Sequence, residues 1–279
     1  MKIFFIWLIS IIKFLLGRRF LLISPPFVKK QFWYDKNKNN FFVLFNRNAT
    51  DWLTNWQVFL EDQYSFSFLK IKSNEDSRDQ EIHEYYNKII QAGNRPLIID
   101  CGSNNGASSV YFNLTYPESK IISLEIDKDN FLHSLKNSKV NNSNIEFLNK
   151  GVSNEDGYGK FIDPGLGQDA YRIEKDAKVD GIQLLSINSI LRNINPEEKL
   201  IPFVIKIDIE GSEQDLFSSN TQWVKRFPIM IIELHDWLLP KQKTSINFIK
   251  LISQENRDFV HRGENIFSIS NNFSQDHNK

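Results

Sequence analysis

From Pro96 onward the chain alternates short runs that are apolar at every position with longer amphipathic segments, and this alternation limits its fold more than any other feature. A strand is expected over 97–99, a helix over 105–116, a strand over 120–126, a helix over 128–140 and a strand over 145–148. After a stretch rich in Gly and Asp, 151–181, which reads as irregular, come a strand over 203–208, a helix from Ser212 to about Ser219 and a strand over 229–234. A helix near 246–253 and two last strands, 259–262 and 266–269, complete the pattern. Strands without a polar face need cover on both sides. The sequence therefore predicts an α/β fold built on a doubly wound, Rossmann-like sheet, mostly parallel with a C-terminal antiparallel strand.

What precedes Pro96 is different in kind. Residues 3–16 are apolar except for Ser10 and Lys13, and Gly17, Arg18 and Arg19 follow. The run falls short of the roughly 20 residues that span a bilayer. On a helix, Lys2, Ser10, Lys13 and Gly17 gather into a narrow polar wedge on an otherwise apolar cylinder. With most charge after the run and no small-residue cleavage site, it does not read as a secretory signal. Two readings stand: an interfacial anchor with the following domain on the cytosolic side, or a helix packed on the protein itself. Residues 24–95 form an aromatic-rich lead-in of strands and turns, ending in a helix over 79–92 that Gly93 closes. The expected organisation is an N-terminal helix (1–23), a lead-in or cap (24–95), a main domain (96–272) and a flexible tail (273–279). The 34 basic and 34 acidic residues cancel, so the whole-chain balance gives no footprint for nucleic acid. One cysteine, Cys101, excludes an intramolecular disulfide and a zinc site built on cysteines, and fits a reducing compartment such as the cytoplasm.

Two motifs carry chemistry in the main domain. Asp100-Cys101-Gly102-Ser103-Asn104-Asn105-Gly106 lies where the first strand gives way to a helix, the place at which such sheets bind nucleotides. It lacks the G-x-G-x-x-G spacing that would seat a pyrophosphate on the helix N-terminus, which weighs against a nicotinamide-dependent oxidoreductase. Its Asp100 and Asn104 suit a ligand with an amino group and no phosphate. About twenty residues on, Glu125 ends the second strand, where a carboxylate can accept both hydroxyls of a ribose. Asp127 is the expected N-cap of the next helix. Further along, alternation over 204–210 puts Lys206, Asp208 and Glu210 on one side of a strand. A charged triplet in a buried strand is costly unless its members pair or serve a site.

With these blocks in view, the sequence resembles the FkbM-type methyltransferases, a family of S-adenosyl-L-methionine-dependent O-methyltransferases. The similarity runs over roughly 97–235. Its most specific block is Ile205-Lys206-Ile207-Asp208-Ile209-Glu210-Gly211-Ser212-Glu213 with Ile232-Glu233-Leu234-His235. The resemblance implies a Rossmann-like methyltransferase sheet with S-adenosyl-L-methionine as cofactor. Asp100, Gly102, Ser103, Asn104 and Gly106 would lie around its methionine moiety, Glu125 and Ile126 by the ribose, and Val152 near the adenine. Ile126 stands where the family often has proline.

Methyl transfer from a sulfonium is an in-line displacement, so the protein's part is alignment and a base for the acceptor's proton. Asp208, Glu210 and His235 are the ranked candidates. Asp208, Glu210, Glu233 and His235 could also form an oxygen-rich site for magnesium. The implied partner is a hydroxyl-bearing acceptor: a glycan, a lipid-linked sugar or a small metabolite, met at the inner face of a membrane if residues 1–19 touch one. Trp52, Trp56 and Tyr64 could stack on sugar rings, with core packing as the plainer role, and Arg47 and Asp51 could line an acceptor pocket. The competing reading from another class is a catalytically silent module of the same fold that serves as a membrane-associated partner.

Overall fold

The computed structural model describes residues 2–70, 77–162, 172–175 and 181–272. The tail expected at 273–279 and parts of the stretch 151–181 lie outside them. Helix α1 (Lys2–Leu15) leads into an antiparallel sheet of β1 (Phe20–Leu22), β2 (Lys30–Asp35) and β3 (Asn40–Phe45). Burial alternates along β2: Gln31, Trp33 and Asp35 point inward, while Lys30 and Phe32 point out. That is the period of a half-covered strand. Helix α2 (Ala49–Asn55), capped by the Asn48 side chain, runs on through a π turn over Trp56–Leu60. Helix α3 (Arg78–Gln91) follows, one residue from where the sequence placed it.

The main domain alternates as the sequence implied: β4 (Arg95–Cys101), α4 (Ala107–Thr115), β5 (Lys120–Leu124), α5 (Lys128–Val140) and β6 (Ile145–Leu148). The stretch read as irregular holds β7 (Gly151–Ser153), β8 (Gly157–Ile162) and β9 (Arg172–Lys175), which join β10 (Ile182–Ser186) in a second sheet of order β7-β10-β8-β9. These strands escape a sequence reading because Gly and charged residues interrupt them, which leaves no sustained apolar run to detect. After α6 (Ile187–Arg192) come β11 (Leu200–Ile207), the four-residue α7 (Glu213–Leu216), β12 (Ile229–Glu233), α8 (Ile246–Ile252), β13 (Arg257–Arg262) and β14 (Asn265–Ser270).

The seven-stranded central sheet has the order β13-β14-β12-β11-β4-β5-β6. β12, β11, β4, β5 and β6 pair in parallel, and β14 is antiparallel to both its neighbours. From β4 the chain winds outward through β5 and β6, then returns to the other flank of β4 as β11. The reversal lies between β4 and β11, and the crevice over their C-terminal ends is where such a sheet takes a ligand. Two apolar layers cover the sheet. One is built on Trp33, Phe59, Tyr111 and Phe203, the other on Ile99, Ile205, Trp223 and Phe248.

The first layer takes Phe20, Leu22, Trp33 and Phe42 from the N-terminal sheet, so that sheet shares its core with the main domain. Arg19 clamps the junction. Its guanidinium donates to both oxygens of the buried Asp35 at 2.8 and 2.6 Å, to Thr115 Oγ1 at 2.8 Å and to the Leu114 carbonyl at 3.0 Å, at the end of α4. Removing one partner of a buried pair strands the other charge. Arg19→Ala is therefore expected to lower unfolding stability by about 3 kcal/mol, read from the urea midpoint, whereas Arg19→Met with Asp35→Leu costs clearly less. A loss below about 1 kcal/mol in the single variant would reduce the clamp to a surface pair.

Candidate active site

The turn after β4 is shaped by contact with β11. Asp208 N donates to the Cys101 carbonyl at 3.0 Å, which brings the Asp208 carbonyl against Gly102. A Cβ on Gly102 would lie 1.8 Å from that oxygen, and the residue has φ +78°, so only glycine fits. Gly106, at the N-cap of α4, is equally closed: its Cβ would meet the Ser134 Cβ of α5 at 2.7 Å. The loop glycines are thus demanded by packing between elements as much as by any ligand.

Behind this turn lies Lys206, 2% exposed. Its ammonium donates to the Gly102 carbonyl at 2.6 Å and stands 3.3 Å from both Asp100 Oδ1 and Asp208 Oδ2. Burial would lower its pKa, but Asp100, Tyr64 and Asp208 outweigh that and hold it well above the usual lysine value. Lys206 is a fixed cation and a spacer. Asp100 spends its second oxygen on the Ser108 and Ser109 hydroxyls in the first turn of α4, at 2.6 and 2.5 Å.

At the end of β5, Glu125 is 6% exposed. One oxygen accepts from Asn104 N at 2.6 Å and the other from Asp127 N at 2.8 Å. Burial outweighs these two donors and pushes its pKa up to about 7. The Asn149 amide donates to the carbonyls of Glu125 and Ile126 at 2.9 and 3.0 Å, which fixes the backbone course where Ile126 replaces proline. Asp127 caps α5 as expected, accepting from Asn130 N at 2.7 Å.

One cavity of about 660 Å³ collects much of this chemistry. Gly102, Asn104, Glu125 and Ile126 line it, with Val152 and Leu124 as apolar lining and Asp208 and Glu210 as further acids. Asp100, Ser103 and Gly106, expected beside the ligand, are not among the lining residues; they support the wall from behind. Ser103 Oγ is buried without a hydrogen-bond partner among the described residues. The triplet on one strand face is also corrected: β11 stops at Ile207, and Glu210 reaches the cavity through a left-handed turn at φ +53°. Arg47 and Asp51 do line the cavity, at the α5 end. They pair there at 2.7 Å, and Arg47 also donates to Asn130 Oδ1 at 2.7 Å. Trp52 and Tyr64 are 7% and 5% exposed and take part in ring packing, so neither is open to a sugar.

His235 is likewise set back. It is 3% exposed, with Nδ1 2.9 Å from Glu213 Oε1 and Nε2 3.6 Å from Asp208 Oδ1 and 3.5 Å from Glu233 Oε1. Burial pulls its pKa down, but the Glu213 hydrogen bond and charge, then Asp208 and Glu233, raise it to about 9. Burial and the Asp208 charge push Glu233 up to about 8. At neutral pH His235 is therefore an imidazolium with no free lone pair for a proton. The sequence reading missed Glu213, which is wholly buried. In the sequence it stands only as the last residue of the block over 205–213, and the pairing with His235 becomes visible once β12 lies beside β11.

Asp208, Glu233 and His235 offer ligand atoms within 4.8 Å of one another. The set fits magnesium poorly. Asp208 already faces the Lys206 and His235 cations, and His235 offers a nitrogen to an ion that prefers oxygen.

The profile of the methyltransferase FkbM domain matches residues 100–260, more than half of the sequence. The chain belongs to the FkbM methyltransferase family. No curated protein matches it. Among solved structures it is similar to a putative O-methyltransferase from Klebsiella pneumoniae (10% identity, 70% of this chain and 82% of that one, TM-score 0.40). A putative caffeoyl-CoA O-methyltransferase from Staphylococcus aureus is similar at 10% identity, over 80% and 99% of the two chains, with a TM-score of 0.37. The bifunctional kinase-methyltransferase WbdD matches at 11% identity and TM-score 0.38, over 68% of this chain and 38% of that one. The chain thus spans well under half of WbdD, and likeness at these scores decides nothing further about it.

The buried imidazolium of this FkbM domain gives a pH signature. Its folded-state pKa lies above the unfolded value near 6.5, so the stability it lends is fully present below about pH 6.5 and is lost as pH rises through about 9. Glu213→Gln is expected to lower the His235 midpoint, followed by NMR, by roughly a pH unit or more. A midpoint still near 9 would assign the shift to Asp208 and Glu233 instead.

Proposed function

We propose that this methyltransferase transfers the methyl group of S-adenosyl-L-methionine to a hydroxyl oxygen, with Asp208 as proton acceptor. One observation carries the reading: Glu125 and Asp208, on opposite sides of the switch point, line a single cavity. The lining fits the donor. Glu125 keeps lone pairs for ribose hydroxyls, Leu124 and Val152 offer an apolar face to adenine, and the Gly102–Asn104 backbone allows close approach of an amino-acid chain. The donor supplies an electrophilic methyl on a sulfonium. The acceptor oxygen forms its bond to that carbon as the carbon–sulfur bond breaks, and the hydroxyl proton passes to an Asp208 oxygen. Asp208 is the one member of its cluster that both lines the cavity and is held from behind, by Lys206 at Oδ2 and His235 at Oδ1. Lys206, Glu213 and His235 are positioning residues.

For the acceptor we propose a glycan or lipid-linked sugar at the cytosolic face of a membrane, with a small hydroxylated metabolite as the alternative. No helix among the described residues is long and apolar enough to cross a membrane. The reading rests instead on the basic and apolar character of the N-terminal unit.

Asp208→Asn is expected to leave donor affinity within about tenfold and to lower kcat by roughly 10² or more. Adding magnesium or a chelator should leave the wild-type rate unchanged. A rate that climbs through about pH 9 would assign the proton to His235.

Glu125 makes a separate test. Ribose hydroxyls favour its ionised form, so donor binding should release a proton near pH 7 and tighten as pH rises through that value. Glu125→Gln should abolish both effects and weaken binding by about 1.5 to 3 kcal/mol, read by calorimetry in buffers of different ionisation enthalpy. Equal affinity and equal proton release in the variant would remove Glu125 from the donor site.

A further inference from the structure

Helix α1 sits on the protein with its polar side inward. Ser10 is fully buried and its Oγ accepts from Leu22 N at 3.0 Å. Lys13 Nζ reaches the Leu60 carbonyl at 3.5 Å and lies 5.6 Å from the Trp56 ring. Trp7 Nε1 donates to the Leu22 carbonyl at 3.0 Å. Leu8, Ile12, Leu15 and Leu16 follow the i, i+4, i+7, i+8 spacing of one helix face and point outward, with Leu15 and Leu16 77% and 81% exposed. The apolar surface continues onto the sheet: Phe14 meets Tyr34 at 6.0 Å, Tyr34 meets Phe41 at 5.2 Å, and Phe41 is 63% exposed.

Exposed lysines fringe the sheet side of this surface, while at the end of α1 Arg18 is paired with Asp62 at 3.6 Å. The first 48 residues hold nine of the 34 basic residues and one of the 34 acidic ones, Asp35, which is buried against Arg19. Lys29, Lys30, Lys36 and Lys38 are exposed. Lys36 Nζ stands 5.8 Å over Phe14 and Lys30 Nζ 4.9 Å over Phe32. The rest of the chain carries the balancing excess of acid.

We propose that this surface docks on an anionic phospholipid bilayer, with α1 lying in the plane of the interface. Apolar residues fringed by lysine match what such a surface offers: a boundary of acyl chains under a layer of negative headgroups. A second copy of the chain is the weaker occupant, because pairing the same patch would oppose two sets of like charge. From β3 the chain passes directly into Arg47, Asn48 and Thr50 of the cavity wall, so a docked N-terminal unit carries one side of the active site with it. The inference deepens the membrane-face reading above and rests on it only for where the acceptor waits; lipid binding is measured without any acceptor.

The test is co-sedimentation of the full chain with vesicles of phosphatidylcholine, with or without phosphatidylglycerol. The protein should pellet with the anionic vesicles, and salt should release it. Lys30→Gln and Lys36→Gln should each weaken partitioning about fivefold. Leu15→Glu with Leu16→Glu, at positions that touch little of the protein, should abolish vesicle binding while leaving donor affinity at the wild-type value. A wild-type protein that stays in the supernatant with anionic vesicles overturns the proposal. So does a double variant that pellets as well as wild type, or a concentration-dependent dimer, dispersed by the same variant, in place of vesicle binding. Methyl transfer to a soluble acceptor with no vesicle binding would leave the enzymatic reading intact and reject this one.

Discussion

The ammonium of Lys206 is the constraint on which the site is built. A buried cation is tolerable only with acceptors on every side. Here they come from three separate places: the Gly102 carbonyl in the loop, Asp100 on β4 and Asp208 beyond β11. Asp100 passes the constraint on through the hydroxyls of Ser108 and Ser109 to the start of α4. One charge therefore sets the position of the donor loop against that of the acid across the switch point. Such a pair is weak as a source of net stability, but separating its members leaves a bare charge in the core. It specifies geometry more than it adds strength.

Around that cation the ionisable groups form two ranks. Glu125, Asp208 and Glu210 face the cavity, while Asp100, Lys206, Glu213 and His235 stand behind them. The rear rank decides what the front rank can do. Glu213 keeps His235 charged, and His235 with Lys206 brackets the Asp208 carboxylate from both oxygens. Glu125 has no cation in contact among the described residues, and burial, aided by the Asp127 charge, brings it into the neutral range.

The alternating pattern after Pro96 was enough to read the parallel sheet and the acids at its strand ends, because strands buried on both faces leave an unmistakable apolar signature. Depth was not legible. Period-2 alternation says which side of β11 Lys206 and Asp208 share, yet one is sealed behind the loop and the other opens to the cavity. Glu210 reaches that cavity by a left-handed residue that no periodicity announces. Asp100 and Gly106 sit outside the cavity lining and make contacts between elements, a placement that residue type alone does not announce. The second sheet was hidden by the Gly and charged residues that break its strands, and the basic character of the first 48 residues by averaging charge over a chain whose total is zero.

The two hydrogen bonds that α1 makes with Leu22, one from Trp7 and one to Ser10, have a meaning beyond holding a helix in place. β1 pairs with β2 on one side only, and its other edge is what Trp7 and Ser10 cover. Lift the helix away and the amide and carbonyl of Leu22 become an open strand edge beside Phe20 and Trp33, a template for strands of other chains. A helix that could leave the body freely would expose that edge whenever it did so. Its attachment by the polar side lets the apolar side be used while the edge stays covered.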